Sequence, residues 1–226
     1  MEVIVLAGGM GTRLRAVISD LPKPMAPVNN KPFIEYLFIW LSKYPVTRII
    51  LSVGYKAEII SDYFGDNFQN IPLVYVKEPE PLGTGGAIKL ALNQVIDDEF
   101  LIINADTYFP VDLDIFKDFH ERTGSKLSIV LKKMTNFDRY GTVELKDKTI
   151  LNFNEKKFCE EGFINGGIYL VKKDFINSLS LPEVFSFEKE VLEKQAITGN
   201  LKGMTFADPF IDIGIPEDYY RASEIV

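Results

Sequence analysis

The sequence predicts an α/β protein, a Rossmann-like three-layer sandwich whose mostly parallel central sheet carries added antiparallel strands. Short apolar runs alternate with helix-length segments through residues 1–133, and short alternating runs replace them after about Met134. No stretch rich in Gly, Ser or Pro separates the two parts. Glu2–Leu6, closed by Ala7-Gly8-Gly9, reads as a strand buried on both faces. Pro32 opens a helix over Phe33–Leu41. Arg48–Val53 reads as strand, Ala57–Phe64 as a helix stopped near Gly65, and Leu73–Lys77 as strand. Gly85–Val95 (helix), Phe100–Asn104 (strand), Asp114–Arg122 (helix) and Leu127–Leu131 (strand) follow. Thr142–Leu145, Ile150–Phe153 and Ile164–Val171 predict antiparallel additions to the same sheet. Phe187–Ile197 predicts an amphipathic helix and Pro216–Ser223 a terminal one. Residues 1–226 are expected to form one domain, with halves at about 1–133 and 134–226.

Composition narrows the class. With 46% hydrophobic and 25% charged residues the chain is neither disordered, collagen-like nor coiled-coil. Its one cysteine, Cys159, has no internal partner, which fits a reducing compartment. The longest apolar run, Phe33–Leu41, is too short to span a bilayer and is broken by Glu35. Met1–Leu6 lacks a secretory pattern, so a soluble cytoplasmic protein with no membrane association is expected. A net charge of −7 with no Lys/Arg cluster argues against nucleic acid as a partner. A small anionic ligand would need a few placed cations or a metal against that field. One His and one Cys exclude a zinc site and Cys–His catalysis, and there is no G-x-S-x-G elbow.

The most informative segment is Leu6-Ala7-Gly8-Gly9-Met10-Gly11-Thr12-Arg13-Leu14, directly after the first strand. Glycines let backbone N–H groups approach phosphate oxygens, and Arg13 can add a bidentate contact. The dinucleotide fingerprint fails, because Leu14 stands where its third glycine belongs and no acidic residue ends the second strand. The P-loop fails for want of a Gly-Lys pair. A plain tight turn accounts for the glycines but not for Thr12-Arg13. Ten residues on, Pro22 and Pro24 flank Lys23 and stiffen the backbone that presents its ammonium. Phe100–Asn104 runs into Ala105-Asp106, and a carboxylate at such a strand end points into the ligand crevice of an α/β sheet.

Gly8-Gly9-x-Gly11-Thr12-Arg13-Leu14 followed by Pro22-Lys23-Pro24 resembles the start of the sugar-1-phosphate nucleotidyltransferases, and the remaining motifs follow in that family's order. The resemblance implies the fold of the nucleotide-diphospho-sugar transferases, with a nucleotide-binding first half and a sugar-binding second half. It places Leu6, Ala7, Gly8, Gly9, Gly11, Thr12 and Arg13 around the nucleoside triphosphate, Arg13 on the departing pyrophosphate and Lys23 at the reacting phosphorus. Arg13, Lys23 and Asp106 are the catalytic residues so implied.

In Glu78-Pro79-Glu80-Pro81-Leu82-Gly83-Thr84-Gly85-Gly86, similar enzymes pack Gly83 and Thr84 beside the nucleotide, and Glu78 falls where the base edge is read. A carboxylate accepts two hydrogen bonds and guanine offers two adjacent donors, so Glu78 favours GTP. Backbone amides could do the reading instead. Phe210-Ile211-Asp212-Ile213-Gly214 resembles the second acidic motif, with Asp212 joining Asp106 on Mg²⁺; either aspartate alone could equally be a cap or turn former. The resemblance sets Glu155 and Asn165 on sugar hydroxyls, Lys156 on the sugar phosphate, and Gly141 and Gly166 close to the sugar. Lys156 beside Lys157 also reads as an ordinary surface pair. His120 reads as structural, and Asp112-Leu113-Asp114 as a helix cap rather than a glycosyltransferase metal motif.

Among short members, Asn165-Gly166-Gly167-Ile168-Tyr169 and Asp212–Tyr219 are most similar to the D-glycero-α-D-manno-heptose 1-phosphate guanylyltransferases, with Phe210 and Ile215 departing from the Trp and Thr of many relatives. This implies GTP and a sugar 1-phosphate as partners and a role in capsule or lipopolysaccharide biosynthesis; a homo-oligomer stays open. Mannose 1-phosphate guanylyl transfer, N-acetyl-sugar or muramate uridylyl transfer, and a non-catalytic nucleotide-sugar-binding subunit are the alternatives. The last is disfavoured because Arg13, Lys23 and both aspartates are present.

Overall fold

In the computed structural model all residues are described except Met10, Thr12, Arg15 and Ala16. The chain begins with β1 (Glu2–Ala7), β2 (Pro27–Val28), β3 (Lys31–Pro32), α1 (Phe33–Leu41), β4 (Arg48–Val53) and α2 (Ala57–Phe64). β5 (Asn67–Phe68), β6 (Ile71–Lys77), α3 (Gly83–Ala91), β7 (Glu99–Asn104), β8 (Thr107–Tyr108) and α4 (Leu113–Thr123) follow. The second half contains β9 (Leu127–Phe137), β10 (Val143–Lys146), β11 (Thr149–Phe153), β12 (Cys159–Lys172) and α5 (Lys173–Ser178). It ends with α6 (Lys194–Ile197), β13 (Lys202–Phe206), β14 (Ile211–Asp212) and α7 (Pro216–Ala222).

Among the described residues ten strands make one sheet, in the order β10-β11-β13-β9-β12-β7-β1-β4-β6-β5. β1 lies parallel to both β4 and β7, and β4 parallel to β6. Strand side chains alternate between two cores. Val3 and Val5 pack with Ile34, Leu37 and Phe116 on one face, while Ile4 joins Ile88, Ala91 and Val191 on the other. Burial on both sides explains why these strands read as continuous apolar runs. The two halves meet where β12 pairs antiparallel with both β7 and β9. Asp112 caps α4, its carboxylate accepting from the N–H groups of Asp114 and Ile115 at 3.0 Å, so the Asp112-Leu113-Asp114 run is a helix start.

Several expectations change. β9 and β12 run well beyond the expected Leu127–Leu131 and Ile164–Val171, each serving as the other's antiparallel partner, with a register shift between Asn165 and Tyr169. The expected helix over Phe187–Ile197 winds as a π-helix over Glu188–Glu193 before α6. Lys202–Phe206, not expected as strand, is β13, parallel to β9 and set between β9 and β11. No described helix is long and apolar enough to cross a membrane.

Candidate active site

β1, β4, β6 and β7 end together: Ala7 is registered with Val53, Val53 with Lys77, and Leu6 with Asn104. Beyond Asn104 the Ala105 N–H donates to the Leu6 carbonyl at 3.2 Å, which carries Asp106 over this edge. β8 then pairs antiparallel with β14, placing Thr107 opposite Asp212. The Ile213 N–H donates to the Asp106 carbonyl at 3.0 Å. Main-chain bonds therefore set side by side two carboxylates that are far apart in sequence.

A cation faces them. Pro22 and the buried Pro24 hold a short turn of 3₁₀ helix over Lys23–Met25. The Lys23 Nζ donates to Asp106 Oδ2 at 2.6 Å and stands 3.6 Å from Asp212 Oδ1. The Gly214 N–H donates to the same Asp212 oxygen at 2.7 Å. Burial, and then the charge of Asp106, push the Asp212 carboxyl above its ordinary value, while Lys23 pulls it back. One ammonium between two carboxylates leaves negative charge uncompensated at this spot.

Leu6, Ala7, Gly9, Gly11, Arg13, Lys23, Asp106, Lys156 and Asp212 all line one cavity of about 340 Å³. Its lining carries four cations (Arg13, Lys23, Arg139, Lys156) against two carboxylates, a local surplus of positive charge in a chain whose net charge is −7. An adjoining cavity of about 330 Å³ shares Leu6, Gly9 and Asp106 and is lined by Gly8, Glu78, Gly83 and Thr84. Glu78 is fixed in it: Oε1 accepts from Ser52 Oγ and Oε2 from the Leu82 N–H, both at 3.2 Å. Gly8 lies against it, and a Cβ at this position would displace the Glu78 carboxylate. The Thr84 hydroxyl is engaged within the protein, donating to Glu188 Oε2 at 2.7 Å and accepting from the Phe187 N–H at 2.9 Å. Thr12 lies outside the described residues.

Gly141, Glu155, Asn165 and Gly166 do not line these two cavities. The Asn165 amide donates to the Tyr169 hydroxyl and accepts from the Gly167 N–H, both at 2.8 Å. Gly166 lets β12 pack on Phe109 and the Val130 carbonyl, and Gly141 approaches the Asn154 carbonyl just before the exposed Glu155. Arg139, Tyr140 and Gly214, which belong to motifs that resemble the family but were given no site role, line the main cavity. The signal was present, because Arg139-Tyr140 precedes the quoted Gly141 and Gly214 closes the Asp212 motif.

A family model described as nucleotidyl transferase matches residues 2–226. The chain is 47% identical over 224 residues to a D-glycero-alpha-D-manno-heptose 1-phosphate guanylyltransferase of Aneurinibacillus thermoaerophilus, covering 99% of this chain and 97% of that protein. It is 48% identical over 222 residues to a protein of the same name from Campylobacter jejuni, covering 98% of each. The crystal structure of HddC from Yersinia pseudotuberculosis complexed with GMP-PN superposes with a TM-score of 0.88 at 40% identity, covering 99% of this chain and 98% of that one. The chain belongs to the nucleotidyl transferase family.

Proposed function

We propose that this chain transfers the guanylyl group of GTP to D-glycero-α-D-manno-heptose 1-phosphate, giving GDP-heptose and pyrophosphate. The observation that carries the chemistry is the pairing of Asp106 and Asp212 around Lys23 in a cationic cavity at the strand ends. The base and the sugar rest on the near-full-length similarity to the two guanylyltransferases. Glu78 supports guanine: each of its oxygens accepts one bond from the protein and keeps a lone pair for the base N1–H and amine.

An oxygen of the sugar phosphate attacks the α-phosphorus in line, and the bond to pyrophosphate breaks as the new one forms. The nucleophile is already an anion, so no general base is needed, and catalysis is positioning and charge neutralisation. Arg13 takes the departing pyrophosphate, Lys23 the reacting phosphate and Lys156 the phosphate of the sugar. Glu155 accepts from sugar hydroxyls, and Asn165, oriented by its bonds to Tyr169 and Gly167, adds a sugar contact. Two adjacent carboxylates fit a hard divalent cation, and among the described residues Asp106 Oδ1 accepts only from Thr107 Oγ1, at 3.3 Å. Asp106 and Asp212 would hold Mg²⁺, which when bound offsets phosphate charge. The free thiol of Cys159 suits a cytoplasmic enzyme, and its product is the kind of donor that capsule or lipopolysaccharide synthesis consumes.

The test is pyrophosphate release with Mg²⁺, crossing GTP, UTP, dTTP, CTP and ATP with heptose, mannose and N-acetylated sugar 1-phosphates. Release confined to GTP with the manno-configured heptose is expected. Preference for UTP with an acetylated sugar would discard the role of Glu78, and no release in any pairing would make the chain a non-catalytic binding subunit.

A further inference from the structure

Arg139 enters the cavity from the loop after β9 and belongs to none of the roles assigned above. Its guanidinium carbon lies 5.4 Å from the centre of the Tyr140 ring, and its Nη1 donates to Asp218 Oδ2 on α7. Among the described residues that is its one hydrogen bond, so the other donors of the fork stay available. Asp218 is 7% exposed, a burial that a carboxylate tolerates only when paired. It is shared, since Arg221 Nη1 also donates to it, at 3.2 Å on Oδ1. Two guanidiniums on one carboxylate leave a net positive charge, so Asp218 orients Arg139 without cancelling it. Arg139, Tyr140 and Lys156, all from the second half, line the same cavity as Asp106 and Asp212.

We propose that Arg139 is a further contact for the phosphate of the sugar 1-phosphate, and that the buried carboxylate of Asp218 is the positioning residue that presents it. This rests on the nucleotidyl-transfer reading above and extends it to two residues that reading leaves without a task. A planar fork held at one corner and stacked on a ring keeps a fixed direction, which a free lysine such as Lys156 lacks.

The experiment is steady-state pyrophosphate release by the full chain with GTP, Mg²⁺ and the manno-configured heptose 1-phosphate, for wild type, Asp218→Asn, Arg139→Gln and Arg139→Lys. Loss of a charge-assisted contact raises KM for the sugar phosphate by about 10- to 100-fold in the first two, with KM for GTP within about two-fold. Arg139→Lys recovers part of the loss by keeping the charge without the fork. Arg139→Gln leaves Asp218 paired with Arg221, so it reports on the contact even if Asp218→Asn fails to fold. Unchanged KM for the sugar phosphate, or equal rises for both substrates, overturns the proposal while leaving nucleotidyl transfer intact. Failure of the wild type to release pyrophosphate overturns both together.

Discussion

The two walls of the cleft are held by different physical means. The wall from the first half includes a stretch of small residues, with Ala7, Gly8, Gly9, Gly11 and Gly83 at the cavities beside the side chains of Arg13, Lys23, Glu78 and Asp106. The wall from the second half is charge and aromatic surface: Arg139 and Tyr140 from the loop after β9, Lys156 from the loop after β11, and Asp212 from β14. The first wall offers shape and backbone groups, and the second offers charges, of which Arg139 is held by Asp218 and Asp212 by Lys23 and the Gly214 N–H. Damage to the first wall should be steric and appear in binding; damage to the second should be electrostatic and appear in turnover or in sugar-phosphate affinity.

The junction of the walls should show the largest effect. Asp106→Asn keeps the volume of the side chain and removes the charge opposite Lys23, and turnover should fall by at least about 100-fold, the scale of one lost transition-state contact. Near-normal kcat would break the comparison at its centre. Lys23→Ala should do the same. Gly8→Ala sets a methyl against the Glu78 carboxylate, and KM for GTP should rise by roughly 10-fold, the order of an overpacking cost, with kcat at saturation far less affected. An equal loss of kcat would mean that the first wall also orders the reacting groups. Thr84→Val removes the hydroxyl that ties α3 to Glu188 and to the Phe187 N–H. A destabilisation of about 1–3 kcal/mol is expected, and a thermal melt reads it as a drop of a few degrees, about 2–4 °C per kcal/mol.

His120 gives the smallest effect and lies outside both walls. Its ring is fully buried, with Nδ1 2.7 Å from Ser128 Oγ and Nε2 3.8 Å from Glu99 Oε1. Burial holds its pKa below the ordinary 6.5, against the pull of Glu99. The unfolded chain therefore takes up the proton first. This part of the stability is fully present above 6.5 and fades as pH falls from there towards the folded pKa. Melting temperature should fall more steeply with acid in wild type than in His120→Gln; identical slopes would assign the acid sensitivity elsewhere.

The difference between the walls also explains what could be read from sequence. The first wall is contiguous: a strand, its glycines and Arg13 lie within a dozen residues, so the motif and its place at a strand end are visible together. Asp106 was legible for the same reason. The second wall is assembled by tertiary pairing. Nothing in the one-dimensional pattern says that Asp218 on α7 reaches Arg139 after β9, or that the Asn165 amide turns to Tyr169. β13 escaped notice because its apolar alternation is short, just Met204 and Phe206 around Thr205, with Gly203 its one buried residue. The π-wound start of the helix before α6 was hidden because its residues also fit an α-helical period.

The position of β13 has a consequence for how the molecule is made. It lies between β9 and β11 in the sheet, yet it is synthesised after both, and the ribbon that sets Asp212 beside Asp106 comes later still. A ribosome adding roughly 5–20 residues per second delivers Asp212 on the order of 5–20 s after Asp106. In that interval β9 and β11 present unpaired edges to each other, and Asp106 stands without its neighbouring carboxylate. The pairing of Asp212 with Asp106 therefore waits on the last strands to be synthesised, β13 and then β14.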